Sequence, residues 1–230
     1  MEGDFVISWF SKIEIDLQRF LKDVPYCNEH EKVWSPCLAN VILEACSILD
    51  SVWRFSALQS PCVKSKDLGI RKYFQYFGQE LGPRWTILRE MEPVQIKPFD
   101  NWNKSSYTAK DYDDLDWWNT HNKLKHDRIK NIKEATLNSA ITAVGGLFLA
   151  IIKSGFCKEA MVNERWIDSG NVAYTDEDFQ SVHLSHALVE SRLYSYPIGW
   201  WDKKIKRLDK WQHPGRNRFI KWFDDYESPP

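Results

Sequence analysis

Trp117-Trp118-Asn119-Thr120-His121-Asn122-Lys123-Leu124-Lys125-His126-Asp127-Arg128, leading into the apolar run from Ile141 to Ile152, holds most of the chain's polar chemistry and its longest hydrophobic stretch. Around that run Leu137, Ile141, Val144, Phe148 and Ile151 recur at alternating spacings of four and three. This is the period of a helix with one buried face. Ala140, Leu147 and Ile152 flank the stripe, so the segment is the predicted central core helix. Gly145-Gly146 inside it would cost roughly 1 kcal/mol each against Ala, and they mark places where a neighbouring helix is expected to come close. Lys153 and Gly155 supply the stop. Read as a helix, the preceding stretch sets Asn122 and His126 one turn apart on one face, with Trp118 a turn before them and Ile129 close to a turn after.

Working outward, Asp4 is a candidate cap for a first helix whose apolar residues are Phe5, Trp9, Ile13, Leu17, Phe20, Leu21 and Val24, ended by Pro25. Ser35-Pro36 is the strongest helix start in the chain, a capping hydroxyl followed by proline at the first helical position. Leu38, Val41, Ile42, Ala45, Cys46, Leu49, Val52 and Trp53 follow as its inward face. Ser65 or Asp67 opens a third helix with Leu68, Phe74, Phe77 and Leu81 inward, stopped by Gly82-Pro83. From Trp85 to Lys110 the helical period is lost, and Ile87-Leu88 and Val94/Ile96 suggest an extended segment or short hairpin, pinned by Phe99, Trp102 and Tyr107. Asp111, Asp113, Asp114 and Asp116 then read as the acidic cap of the motif helix.

The chain has 230 residues, 43% hydrophobic and 14% aromatic, enough for one substantial core and a small appendage. A net charge of -1 argues against bulk electrostatic capture of nucleic acid, so a phosphate-binding surface has to be a local patch. Five cysteines, an odd number without a CxxC pair, read as reduced thiols of a cytoplasmic protein. The N-terminal residues do not resemble a signal peptide. The apolar run, bounded by Lys133-Glu134 and Lys153, falls short of the roughly 20 residues a bilayer requires, so no membrane contact is expected.

The predicted fold is all-α, an up-and-down bundle of four to five helices over residues 1–155. Residues 156–230 form a Trp-rich, basic C-terminal extension packed on it, irregular or with strands. In that extension Lys203, Lys204, Arg207, Trp211, Arg216 and Arg218 lead a set of bases interleaved with indoles, a pattern suited to phosphates and stacked bases. The same residues suit a solvated basic segment clamped to the domain by its tryptophans.

The pattern WW-x-x-x-N-x-x-KH-x-R over Trp117–Arg128, followed by Glu134-Ala135-Thr136-Leu137-Asn138-Ser139-Ala140 and an apolar helix, resembles a group of bacterial proteins that are in turn similar to the HEPN superfamily of helical bundles. The resemblance spans about residues 4–154. It implies a homodimer with its site at the interface. In many members it also implies a metal-independent ribonuclease of antiviral defence or toxin-antitoxin systems, with a cognate inhibitor or defence partner. His126 matches the motif histidine of that superfamily and Asn122 its polar position, whereas the usual arginine position is His121, a group mostly neutral at pH 7.

The chemistry so implied is attack of a ribose 2′-hydroxyl on its own phosphate. His126 is the expected acid or base, His121 of the same or the partner chain the second proton carrier, and Lys125 and Arg128 the phosphate-stabilising cations, with Asn122 orienting imidazole or phosphate. Such a site requires no cofactor and no metal. The alternative is a catalytically inactive protein that binds RNA, nucleotide or a partner protein, in which Asn122 and His126 belong to a buried polar network. His183 and His186 lack a further ligand at zinc spacing.

Overall fold

A computed structural model describes residues 2–59, 68–90, 93–166 and 188–197, together with the strand fragments 201–202 and 207–208. Within these residues the chain is mostly helical, with a small antiparallel sheet.

Helix α1 (Glu2–Asp23) buries Ile7, Phe10, Ile13, Leu17 and Leu21, while Phe5 is 62% and Trp9 48% exposed. Of the expected inward stripe, Ile13, Leu17 and Leu21 are buried and Phe20 and Val24 pack partly buried against the core, so the departure is confined to Phe5 and Trp9 in the first turns. A Cβ on Gly3 would stand 2.6 Å from the Phe156 carbonyl oxygen, so this backbone contact fixes which face turns inward and leaves Phe5 on the opposite side. The helix begins at Glu2, and Asp4 lies in its first turn, where the macrodipole favours a carboxylate, and does not act as its cap.

Helix α2 (Pro36–Leu58) starts as its sequence dictates. Ser35 Oγ accepts from the Leu38 N–H at 3.1 Å, Pro36 takes the first helical position, and all eight expected inward residues are buried. Helix α3 (Ile70–Leu81) opens at Gly69, beyond Ser65 and Asp67, which lie outside the described residues, and it buries Tyr73, Phe74, Phe77 and Leu81.

Strands β1 (Thr86–Leu88) and β2 (Val94–Ile96) pair antiparallel, with Leu88 opposite Val94. The segment that follows is held by its aromatics. Phe99 and Trp102 are fully buried, and both lie against Trp53 of α2, which also meets Tyr73, Phe77 and Trp118 with ring centroids 5.1–6.4 Å apart. The acidic run serves this loop more than the following helix. Asp111 accepts from Ser106 and Thr108, Asp113 pairs with Lys104, and only Asp116 enters the first turn of the next helix.

Helix α4 (Asp116–His126) is followed by the short α5 (Arg128–Asn131), a turn of 3-10 helix, and α6 (Leu137–Lys153). Helix α6 is buried along almost its whole length; α2 is its main neighbour, with α1 and α4 also packed on it. The close approach at its glycine pair comes mainly from the sheet and the long loop. A Cβ on Gly145 would meet Thr86 and Tyr194, each at 3.3 Å, and one on Gly146 would meet Trp117, Phe99 and Pro98.

After α6 come a 3-10 turn and the short α7 (Lys158–Asn163), then β3 (Leu188–Glu190) and β4 (Tyr194–Pro197). Strand β4 inserts between β3 and β1, giving the order β2-β1-β4-β3, and its Tyr194 hydroxyl donates to the Ile141 carbonyl of α6 at 2.9 Å. A separate pair, β5 (Trp201–Asp202) with β6 (Arg207–Leu208), is antiparallel. Among the described residues no single helix is long and apolar enough to cross a membrane. Cys27, Cys37, Cys46 and Cys157 are free thiols, and Cys62 lies outside the described residues.

Candidate functional site

The motif helix is short because its sequence stops it. At Asp127 the backbone leaves the helical region (φ -150°, ψ 89°), and the Asp127 carboxylate accepts from the Lys130 N–H at 3.0 Å, capping a new turn. Asn131 Nδ2 donates to the carbonyls of Lys123, at 3.0 Å, and Asp127, at 2.8 Å, so the open end of α4 is satisfied by the turn that follows it. Asp127 and Asn131 thus form a stop-and-restart device around the lysine-rich turn. Ile129 does not extend the Asn122–His126 face; it is 92% exposed on the new turn.

One side of α4 packs into the molecule through Trp117, Trp118, Thr120, His121 and Leu124. His121 lies against Trp118, ring centroids 5.2 Å apart, and its Nδ1 has no hydrogen-bond partner among the described residues. Burial first, then the Lys125 charge, pushes its pKa below the usual imidazole value, against the opposing pull of the Asp50 carboxylate and the Asn122 amide. It is a neutral, buried ring at pH 7.

The other side of α4 is the wall of an open cleft of about 750 Å³. Asp116, Asn119, Asn122, Lys123 and His126 line it from α4, Asn131 and Glu134 from the turn, and Asn138 and Ser139 from the start of α6. Asn122 and His126 meet here as their spacing requires. His126 is exposed and Asn122 half-buried. Lys123 is held by Glu134 at 3.3 Å, so the cleft carries two carboxylates against one ammonium. A second cavity of about 300 Å³, reached past the shared residues Asp116, Asn138 and Ser139, is lined by Tyr26, Gln95, Lys97 and Asn101 among others.

The structure therefore brings Asn122 and His126 into one cleft lining, and the other three expected residues fall outside it. His121 faces the core, Lys125 is exposed outside the cleft lining, and Arg128 donates to Asn40 of α2 at 3.3 Å. Lys203, Lys204, Trp211, Arg216 and Arg218 lie outside the described residues, as do His183 and His186; Arg207 is placed only as the backbone partner of Asp202. Among the described residues no group of three or more His, Cys, Asp or Glu side chains is arranged to hold a metal ion.

Sequence reasoning missed Asn119, Asn131 and Asn138. The signal was present in the position of Asn119, three residues before Asn122 and seven before His126 and so on the same helical face. The other two come from separate elements and reach the cleft only through the fold. Chemically the cleft offers an accessible imidazole, several amides that both donate and accept, and little positive charge. No protein-family model, curated protein or solved structure matches the chain.

Proposed function

We propose that the chain is a HEPN-like domain with α1, α2, α4 and α6 as an up-and-down bundle, acting in the cytoplasm as a metal-independent endoribonuclease of a bacterial defence or toxin system. The observation that supports this reading is the shared open cleft of Asn122 and His126, the two positions that match the superfamily motif. An exposed imidazole is the side chain suited to proton transfer near neutral pH. In the reaction His126 takes the proton of a ribose 2′-hydroxyl, whose oxygen attacks the adjacent phosphorus. The P–O5′ bond breaks, and a second imidazole, as imidazolium, gives its proton to the departing oxygen, leaving a 2′,3′-cyclic phosphate and a 5′-hydroxyl. Because His121 is buried away from the cleft, the second imidazole is assigned to another copy of His126 in a homodimer.

A second reading, a catalytically silent HEPN-like protein that binds RNA, nucleotide or a partner protein, is favoured by the excess of carboxylates in the cleft, which repels a phosphate. Cleavage of RNA in the presence of EDTA, with analysis of the product ends, separates the two. The nuclease reading expects cyclic phosphate ends, and a loss of about 10²-fold or more in His126→Ala at unchanged melting temperature. A folded, dimeric protein that cuts no RNA, alone or with its genetic neighbours, would leave the silent reading.

A further inference from the structure

The lining of the cleft does not suit a phosphate, yet it is rich in groups that recognise flat polar edges. We infer that the cleft takes one unpaired nucleobase, an adenine, from single-stranded RNA, while the phosphates on either side run along the exposed turn at its lip. This rests on the reading of the cleft as an RNA site and specifies what it holds.

Three observations carry the inference. First, four carboxamides line the cleft, of which Asn131 is bonded to the carbonyls of Lys123 and Asp127 and Asn138 accepts from Tyr26. The Asn119 side chain has no hydrogen-bond partner among the described residues, and the Asn122 amide, which also bonds the His121 ring, lines the cleft beside it. A carboxamide presents a donor and an acceptor side by side, the complement of an adenine edge, whereas guanine is most often read by a free Arg or Lys. Among the described residues Lys123 is the one ammonium lining this cleft, and it pairs with Glu134.

Second, the charges are separated. The lining carries the exposed carboxylates of Asp116 and Glu134, while Arg128, Lys130 and Lys133 stand exposed, outside the lining, on the turn that contributes Asn131 and Glu134 to the cleft wall. A phosphodiester is repelled by the carboxylates of the lining and attracted to the cations of the neighbouring turn. His126, exposed and in the lining, ends α4 just before that turn begins, and the ribose of a bound nucleotide would lie beside it.

Third, the room is of the right kind. The cleft is open along one side and adjoins the second cavity through Asp116, Asn138 and Ser139, so a neighbouring nucleotide can continue past the first. A base in a rigid duplex, already paired and stacked, cannot enter it.

The test uses labelled oligodeoxynucleotides of five units, which lack the 2′-hydroxyl and cannot be cut by the proposed reaction, with binding to the full chain followed by fluorescence anisotropy over a range of salt. Oligodeoxyadenylate is expected to bind roughly tenfold or more tightly than an abasic strand of the same charge, and more tightly than oligodeoxyuridylate or a duplex. Asn119→Ala should remove most of the preference for base over abasic strand without changing the salt dependence. The Lys130→Ala/Lys133→Ala double variant should do the reverse, reducing the salt slope by about 1.4 while preserving the preference. Equal binding of adenylate and abasic strands, a preference for uridylate, or a preference untouched by Asn119→Ala would each overturn the inference. RNA cleavage without base preference would sink this assignment and leave the nuclease reading standing. Base-selective binding without cleavage would do the opposite.

Discussion

His121 shows how much one rotation of a helix decides. Its ring is fixed against Trp118, which itself lies on Trp53, so the imidazole that the motif pattern places beside a catalytic histidine is spent on the interior. Burial lowers its pKa from 6.5, so the unfolded chain takes up this proton at a higher pH than the folded one. The sign follows: the contribution of His121 to stability is complete above about pH 6.5 and is lost as pH falls through that value towards the lowered one. His121→Leu removes both this titration and the orphaned Nδ1. Urea unfolding at pH 7 and pH 5 should give a smaller acid loss for the variant, and at pH 7 a stability equal to the parent or higher by up to about 1 kcal/mol. An unchanged difference between the two pH values would show that His121 is not the titrating group. The Asn122–His126 pairing was legible because four residues on a helix always share a face. The inward turn of His121 was not, because it depends on aromatic partners supplied by α2 and by the loop after β2.

At the scale of elements, the contact between α1 and the β3–β4 turn rests on Glu14. This carboxylate is buried, accepting from Ser191 Oγ at 2.5 Å and from the Leu193 and Arg192 N–H groups at 2.6 and 3.1 Å. Burial raises its pKa above 4.5 despite those donors. Its contribution is therefore fully present below about pH 4.5 and declines as pH rises through the folded value, the opposite course to that of His121. Glu14→Ala strands the donors of the turn and should cost roughly 2–3 kcal/mol, with faster hydrogen exchange at the Arg192 and Leu193 amides. Exchange at the parental rate would mean that the turn is held by its apolar contacts alone. Helices α2 and α6 could be read from the chain because each carries several turns of one period and its own start signal. The outward turn of Phe5 and Trp9 could not, since they fit a helical period as well as Ile7 and Phe10 do, and the choice is made by tertiary contacts, Gly3 against Phe156, Phe10 against Phe148 and Trp166, and Glu14 against the turn. The strands were harder: three residues of β1 or β3 hold barely one alternation, and nothing local announces that β1 will pair with β4.

For the molecule as a whole, that pairing joins the regions on either side of residue 155. Tyr194 is fully buried against Phe148 and bonded to α6, and Thr86 Oγ1 donates to the Ser195 carbonyl at 2.8 Å. A chain ending at residue 155 would leave Leu88, Phe148 and the Gly145 face uncovered. It is expected to lose the cooperative thermal transition of the full chain and to bind a hydrophobic dye. A sharp transition within about 5 °C of the parent would instead define the first 155 residues as an independent folding unit. The net charge of -1 is an average over the chain: the cleft lining sets Asp116 and Glu134 against Lys123, while Arg128, Lys130 and Lys133 stand exposed on the neighbouring turn.

The place of β4 in the sheet also has a consequence in time. Thr86 and the Ser195 carbonyl it bonds are 109 positions apart, so on a ribosome adding about 5–20 residues each second the first hairpin emerges several seconds before the strand that will lie beside it. During that interval one edge of β1 has neither its partner nor its cover, and the nascent chain presents an apolar strand to whatever chaperone or neighbouring polysome is at hand. The yield of this protein in a cell is therefore expected to follow translation speed across residues 90–195, a quantity written in its messenger RNA and not in its amino acids.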